Sequence, residues 1–125
     1  MPELERYVVA IVEDDEDMRT AIRRLLEGAG YRAETFGSAE ALLAANAASY
    51  ARCLVLDLQL PGMSGFELQE RLGGAAPPIV FITAHDTAAK QKRALASDAY
   101  YLVKPFLGEA LVAAVSQAVA MSQSR

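Results

Sequence analysis

Five polar residues stand at or just after the ends of β-rich apolar runs. Glu13 and Asp14 follow Tyr7–Val12, Asp57 follows Cys53–Leu56, Thr83 closes Ile79–Thr83, and Lys104 follows Ala99–Val103. If the runs are strands of one parallel sheet, their carboxyl ends share an edge, and groups far apart in sequence converge there. Three carboxylates in one cleft repel one another unless a cation joins them. Oxygen donors in that number, with no His or Cys pair among them, suit a hard ion such as Mg²⁺ better than zinc. Such an ion keeps coordination positions open to phosphate oxygens. A lysine brings compact positive charge to a phosphoryl oxygen, and a threonine hydroxyl brings a hydrogen bond. The set has the make-up of a site for phosphoryl transfer, where positioning and charge neutralisation supply most of the catalysis. A plainer reading exists for each residue: Asp57 as a strand end or helix cap, the acids after Val12 as partners of a helix dipole. Asp57 alone does not separate the two readings; the polar residues at the other strand ends do.

The elements that must position these groups alternate along the chain. Tyr7–Val12 is a buried strand, and Met18, Ile22, Leu25, Leu26 and Ala29 fall at helical spacing before Gly30, a natural stop. Tyr31–Phe36 is a second, less apolar strand, and Ser38 is an N-cap for an Ala/Leu-rich helix to about Ala45. Cys53–Leu56 has no period of its own, as expected of a strand covered on both faces, and Pro61, Gly62 and Gly65 make the loop behind Asp57. A short helix over Phe66–Leu72 is closed by Gly73 and Gly74, and Pro77–Pro78 leads to the fourth strand, Ile79–Thr83. A weak helix over Asp86–Ala96 carries Lys90, Lys92 and Arg93 on what reads as one solvated basic face. The fifth strand, Ala99–Val103, precedes a last helix striped by Leu111, Val115 and Val119.

Strands alternating with helices imply βαβ units, a parallel sheet and right-handed crossovers. The expected fold is α/β: a doubly wound, five-stranded parallel sheet with five helices, a flavodoxin-like three-layer sandwich. Its order, 2-1-3-4-5, is the one common to such folds and is not read from these residues. The chain is expected to be one domain over 1–125, with its core at about 7–121 and a polar tail over 122–125.

At 125 residues, 53% hydrophobic and 22% charged, the composition is that of a globular chain with room for one core. A net charge of −4 argues against direct nucleic-acid binding by this domain. No apolar run approaches the roughly 20 residues that span a bilayer. Met1 to Arg6 lacks a signal-peptide core, and the single Cys53 reads as a small buried hydrophobe, so the expected setting is cytoplasmic.

The blocks Val12-Glu13-Asp14 with Arg19, Leu56-Asp57-Leu58-Gln59-Leu60-Pro61-Gly62-Met63-Ser64-Gly65, Phe81-Ile82-Thr83-Ala84 and Tyr101-Leu102-Val103-Lys104-Pro105-Phe106 together resemble the receiver domain of two-component response regulators. The likeness runs from about Val8 to about Val119. It implies that Asp57 takes a phosphoryl group from the phosphohistidine of a sensor histidine kinase or phosphotransfer protein. It further implies Mg²⁺ held by Asp14 and Asp57, by Glu13 through water and by the backbone carbonyl of Gln59. Lys104 would pair with the phosphoryl group, and Pro105 would follow a cis bond. Thr83 would swing toward the new phosphate and Tyr101 would turn inward behind it as a switch, with Tyr100 as the rival for the outward ring. A response to phosphorylation on a surface for an output domain or a second copy of the chain is implied as well, since the face around the basic trio is the usual signalling surface of such proteins. The chain would then be no enzyme with a separate substrate, catalysing only its own phosphorylation and dephosphorylation.

Two departures stand out. Ser97 occupies a position where similar proteins carry Gly, one that often needs a positive φ. His85, two residues past Thr83, could influence water access but also reads as a solvated loop residue. Two other functions compete. A phosphohydrolase with an aspartyl nucleophile commonly has a second Asp two residues on as general acid; here Gln59 stands there. A docking module that needs no phosphorylation has no use for five competent site residues.

Overall fold

Val8–Val12 (β1) and Ile79–Thr83 (β4) are apolar along nearly their whole length because both of their faces are covered and every one of their residues is buried. The computed structural model describes residues 7–123. Among the described residues, five strands form one parallel sheet in the order β2-β1-β3-β4-β5, completed by Arg32–Phe36 (β2), Ala51–Asp57 (β3) and Tyr100–Val103 (β5). Five helices connect or follow them: Glu16–Gly28 (α1), Ala39–Ala44 (α2), Gly65–Leu72 (α3), Ala88–Ala96 (α4) and Gly108–Gln123 (α5).

Side-chain alternation sorts the strands into two cores. Val8, Ala10, Val12, Leu54, Leu56 and Phe81 face Leu42 of α2, Leu68 of α3 and Ala94 of α4. Val9, Ile11, Cys53, Val55, Val80 and Ile82 face Ile22 and Leu26 of α1 and Leu111, Val115 and Val119 of α5. The result is the expected three-layer sandwich. Cys53 lies fully inside, and burial pushes its thiol pKa up, which removes thiolate chemistry at neutral pH.

Local signals explain the helix ends. Asp15 caps α1, its Oδ1 accepting the N–H groups of Asp17 and Met18 at 2.9 and 3.2 Å. Ser38 caps α2 through the N–H of Ala41. Ser64 and Glu67 form a reciprocal capping box on α3, and Thr87 caps α4, which therefore starts after Asp86. The second strand begins at Arg32, one residue later than expected, because the Tyr31 N–H donates back to Leu26 O at 3.0 Å. The helix predicted to give way to a tail at 122 continues to Gln123; residues 1–6 and 124–125 lie outside the described residues.

The end of α4 departs from the glycine ending of similar proteins at Ser97. Ser97 keeps φ −98°, and the left-handed position falls on Asp98, at φ 60°. Asp tolerates that region better than most residues, because its short polar side chain bonds locally. Ser97 is used otherwise: its hydroxyl donates to Ala94 O and accepts from Gln69 Nε2 of α3, both at 2.8 Å.

Candidate functional site

The parallel register sets the expected residues at one edge. Val12 of β1 is level with Leu56 of β3, so Glu13 and Asp57 emerge side by side. Asp57 pairs with Ile82, and Thr83 with Val103, so Lys104 leaves β5 at the same edge. Backbone bonds extend the ladder past the strands: Leu58 N–H to Ile82 O at 2.9 Å, Lys104 N–H to Thr83 O at 2.8 Å, and Glu13 N–H to Phe36 O at 3.1 Å. The Lys104–Pro105 bond is cis.

Glu13, Asp57 and Thr83 are the buried polar residues of the described chain, at 1%, 4% and 0% exposure. One carboxylate oxygen each from Glu13, Asp14 and Asp57 lies within 4.8 Å of the other two, with Asp14 exposed at the mouth. The Lys104 ammonium bridges the two buried members, donating to Glu13 Oε1 at 2.6 Å and Asp57 Oδ2 at 2.8 Å. Asp57 Oδ1 accepts the N–H of Gln59 at 2.8 Å, so the contact seen at Gln59 comes from its amide rather than from the carbonyl that the resemblance implies as a ligand. Among the described residues no buried side-chain N or O is left without a partner.

Burial is the main cause that raises the Glu13 carboxyl to about 7; the Lys104 bond opposes it, and the neighbouring Asp57 raises it further. For Lys104, burial pulls the pKa down, but the bonds and charges of Asp57 and Glu13 together outweigh it and raise it. The pocket thus holds one cation among three carboxylate side chains. Oxygen donors alone, converging from separate loops, fit a hard divalent ion with positions left for phosphate oxygens.

The remaining expected residues sit beside this cluster in a different arrangement. The Thr83 hydroxyl is tied to the backbone of His85, donating to its carbonyl at 3.3 Å and accepting from its N–H at 3.1 Å. The Tyr101 hydroxyl donates to Asp86 Oδ1 at 2.7 Å, while its ring packs on the face of α2, α3 and α4. Burial and the Asp86 bond both raise its pKa. Tyr100 lies on the opposite face, its hydroxyl 3.2 Å from Met121 Sδ, so Tyr101 is the ring next to the loop after β4. His85 is exposed.

Some residues around the site had no role assigned from sequence. Arg19 Nη1 donates to Glu13 O at 2.8 Å and reaches Asp14 O at 3.5 Å, so a cation from α1 holds the backbone of the acidic loop. Its presence in the Glu13-Asp14 block was the only sequence signal. Glu40 of α2 accepts the Met63 N–H at 3.2 Å, beside Gly62 at φ +75°, and so steadies the loop behind Asp57. The basic residues of α4 are solvated at Lys92 and Arg93 and half-buried at Lys90, and two of them also have partners. Lys90 bonds the His85 carbonyl, and Arg93 pairs with Glu70 and lies 4.3 Å over the Phe66 ring.

Comparison with known proteins bears on the whole chain. Residues 9–116 match the family model described as the response regulator receiver domain. The chain is 36% identical over 123 residues to Nodulation protein W of Bradyrhizobium diazoefficiens, an alignment covering 96% of the chain and 54% of that protein. Among solved structures, the response regulator StyR superposes with a TM-score of 0.88 at 41% identity, over 96% of this chain and 62% of that one. A response regulator receiver protein from Burkholderia phymatum gives 0.80 at 40% identity, over 91% and 95%. The chain therefore spans about half the length of its curated relative Nodulation protein W.

Proposed function

This chain belongs to the response regulator receiver domain family of two-component systems, and from that premise we propose that Asp57 accepts a phosphoryl group from a phosphohistidine with Mg²⁺ bound. The observation that carries the reading is the meeting of Glu13, Asp14, Asp57 and Lys104 at one sheet edge, with Lys104 already touching the proposed acceptor carboxylate. Asp14 and Asp57 would hold the ion, with Glu13 acting through water and the Gln59 carbonyl joining them. When bound, Mg²⁺ supplies the positive charge that lets phosphoryl oxygens sit beside carboxylates.

The chain's own residues do the rest. A carboxylate oxygen of Asp57 attacks phosphorus; the O–P bond forms as the P–N bond to the donor imidazole breaks, and that electron pair returns to the ring nitrogen. The Lys104 ammonium shifts its hydrogen bond from Asp57 to a phosphoryl oxygen. Thr83 gives up His85 and donates its hydroxyl to another. Tyr101 then releases Asp86 and turns inward, reshaping the face of α4, β5 and α5. The donor is a sensor histidine kinase or phosphotransfer protein in the cytoplasm, and the reshaped face answers to an output domain or a second copy. We read residues 1–125 as a single receiver domain that modifies only itself.

Intact mass after incubation with Mg²⁺ and a small acyl phosphate tests the reading. A gain of one phosphoryl group, lost in Asp57→Asn and in the presence of a chelator, is the expected result. No gain from either a small donor or a kinase donor would favour a docking module that works unphosphorylated.

A further inference from the structure

On the phosphoacceptor reading the Thr83 hydroxyl exchanges its bonds to His85 for one to a phosphoryl oxygen on Asp57, and in the structure a second side chain holds the same carbonyl. The His85 oxygen accepts from Thr83 Oγ1 at 3.3 Å and from Lys90 Nζ at 2.8 Å, so both of its lone pairs are engaged. Lys90 is well placed for this. It is half-buried in the first turn of α4, and its own N–H donates to the Thr87 cap at 3.1 Å. Its ammonium therefore returns onto the loop that precedes its helix. The helix itself has little apolar hold on the sheet: Ala94 is its buried residue, and Leu95 is 58% exposed.

We propose that Lys90 is a positioning residue that keeps the Thr83 hydroxyl on the backbone of His85 by fixing the His85 carbonyl. The bond from a charged amine to this carbonyl is the stronger of the two that the oxygen receives. It holds the loop where Thr83 can both donate to and accept from His85, a geometry that ends once the hydroxyl moves to phosphate. On this proposal the Lys90 bond is made in the resting form and given up as the loop moves with phosphorylation, and a contact made in only one of two states shifts the population toward that state. The inference rests on the phosphoacceptor reading above, and its test separates the two.

The test is a titration of Mg²⁺-loaded protein with beryllofluoride, a stand-in for the phosphoryl group, followed by ¹⁵N amide shifts in wild type, Lys90→Met, Lys90→Gln and Lys90→Arg. The neutral variants are expected to bind about three- to ten-fold more tightly, which is the range the net contribution of a single solvent-exposed hydrogen bond can set. Lys90→Arg is expected to stay near wild type. In the same proteins without metal or beryllofluoride, three-bond couplings that report the Thr83 χ1 angle should show one rotamer in wild type and averaging in Lys90→Met. Equal affinities with an unchanged Thr83 rotamer would overturn the role of Lys90. Absence of beryllofluoride binding in wild type would overturn the phosphoacceptor reading, and the couplings without ligand would still decide for or against Lys90.

Discussion

The Lys104 ammonium lies 2.6 Å from Oε1 of Glu13, a residue 91 positions away, and holds Asp57 with its other contact. Both carboxylates are buried, so this one cation is what allows two acids to share the interior of the sheet edge before any ion binds.

Replacing it should expose that dependence. Lys104→Met leaves Glu13 and Asp57 facing each other with no cation between them. The expected loss in the absence of metal is about 3–5 kcal/mol, the scale for removing one partner of a buried pair. Millimolar Mg²⁺ should restore much of it, because the ion replaces the missing charge. Urea unfolding midpoints with and without Mg²⁺ check both statements, and an equal loss in the two conditions would disprove the second.

The raised Glu13 carboxyl sets a pH dependence. Its pKa is about 7 in the fold against an ordinary 4.5, so between those values the folded state binds more protons than the unfolded chain. Stability of the metal-free protein should therefore fall as pH rises through that window, and the cost is complete above about 7. For an isolated group the fall would be roughly 2–3 kcal/mol. Unfolding curves at pH 5 and pH 8 measure it, and Glu13→Gln should flatten the slope that Glu13 supplies.

Asp14 makes the opposite kind of prediction, since it is exposed and belongs to the carboxylate cluster. Asp14→Asn should leave the thermal midpoint nearly unchanged and weaken Mg²⁺ binding about ten-fold or more, the loss of roughly 1.4 kcal/mol of ligand interaction. Calorimetric titration with Mg²⁺ decides it. A large drop in stability with unchanged affinity would mean that the side chain is structural.

Gly65 shows how closely the loop behind Asp57 approaches the strand. A Cβ there would meet the Asp57 carbonyl oxygen at 2.7 Å and Leu58 Cα at 3.2 Å, both backbone atoms that cannot swing aside. Gly65→Ala should cost about 1–3 kcal/mol, the scale of an overpacked site, and should disturb the amide shifts of Asp57 and Leu58. Gly73→Ala offers a contrast, because nothing lies within 4 Å of its Cβ and only its φ of +55° resists the change.

Much of this molecule is legible along the chain. Val8–Val12 and Ile79–Thr83 are apolar without a period, and that follows from having both faces covered. Strand ends carry Glu13, Asp57, Thr83 and Lys104, so a parallel sheet alone brings them to one edge. Caps at Ser38 and boundaries near Gly30 and Gly73 depend on neighbours within a few residues, which sequence order contains directly.

What sequence order could not decide is which of several partners each group takes across space. Lys104 could have faced solvent; register and burial turn it between Glu13 and Asp57. Lys90, Lys92 and Arg93 read as one basic face, yet the packing of α4 beside α3 sends Arg93 to Glu70 and Phe66 and turns Lys90 onto His85. The left-handed residue after α4 is Asp98 and not Ser97, because Ser97 is held by Ala94 and Gln69. Types and spacings determined the elements, the parallel sheet and the candidate residues at its edge, since those rest on local periodicity and on the shared edge of a parallel sheet. The strand order does not follow from local pattern. The pairings, and with them the resting position of Thr83, were decided by tertiary structure, because hydrogen bonds of that kind depend on ångström distances between segments that no local pattern encodes.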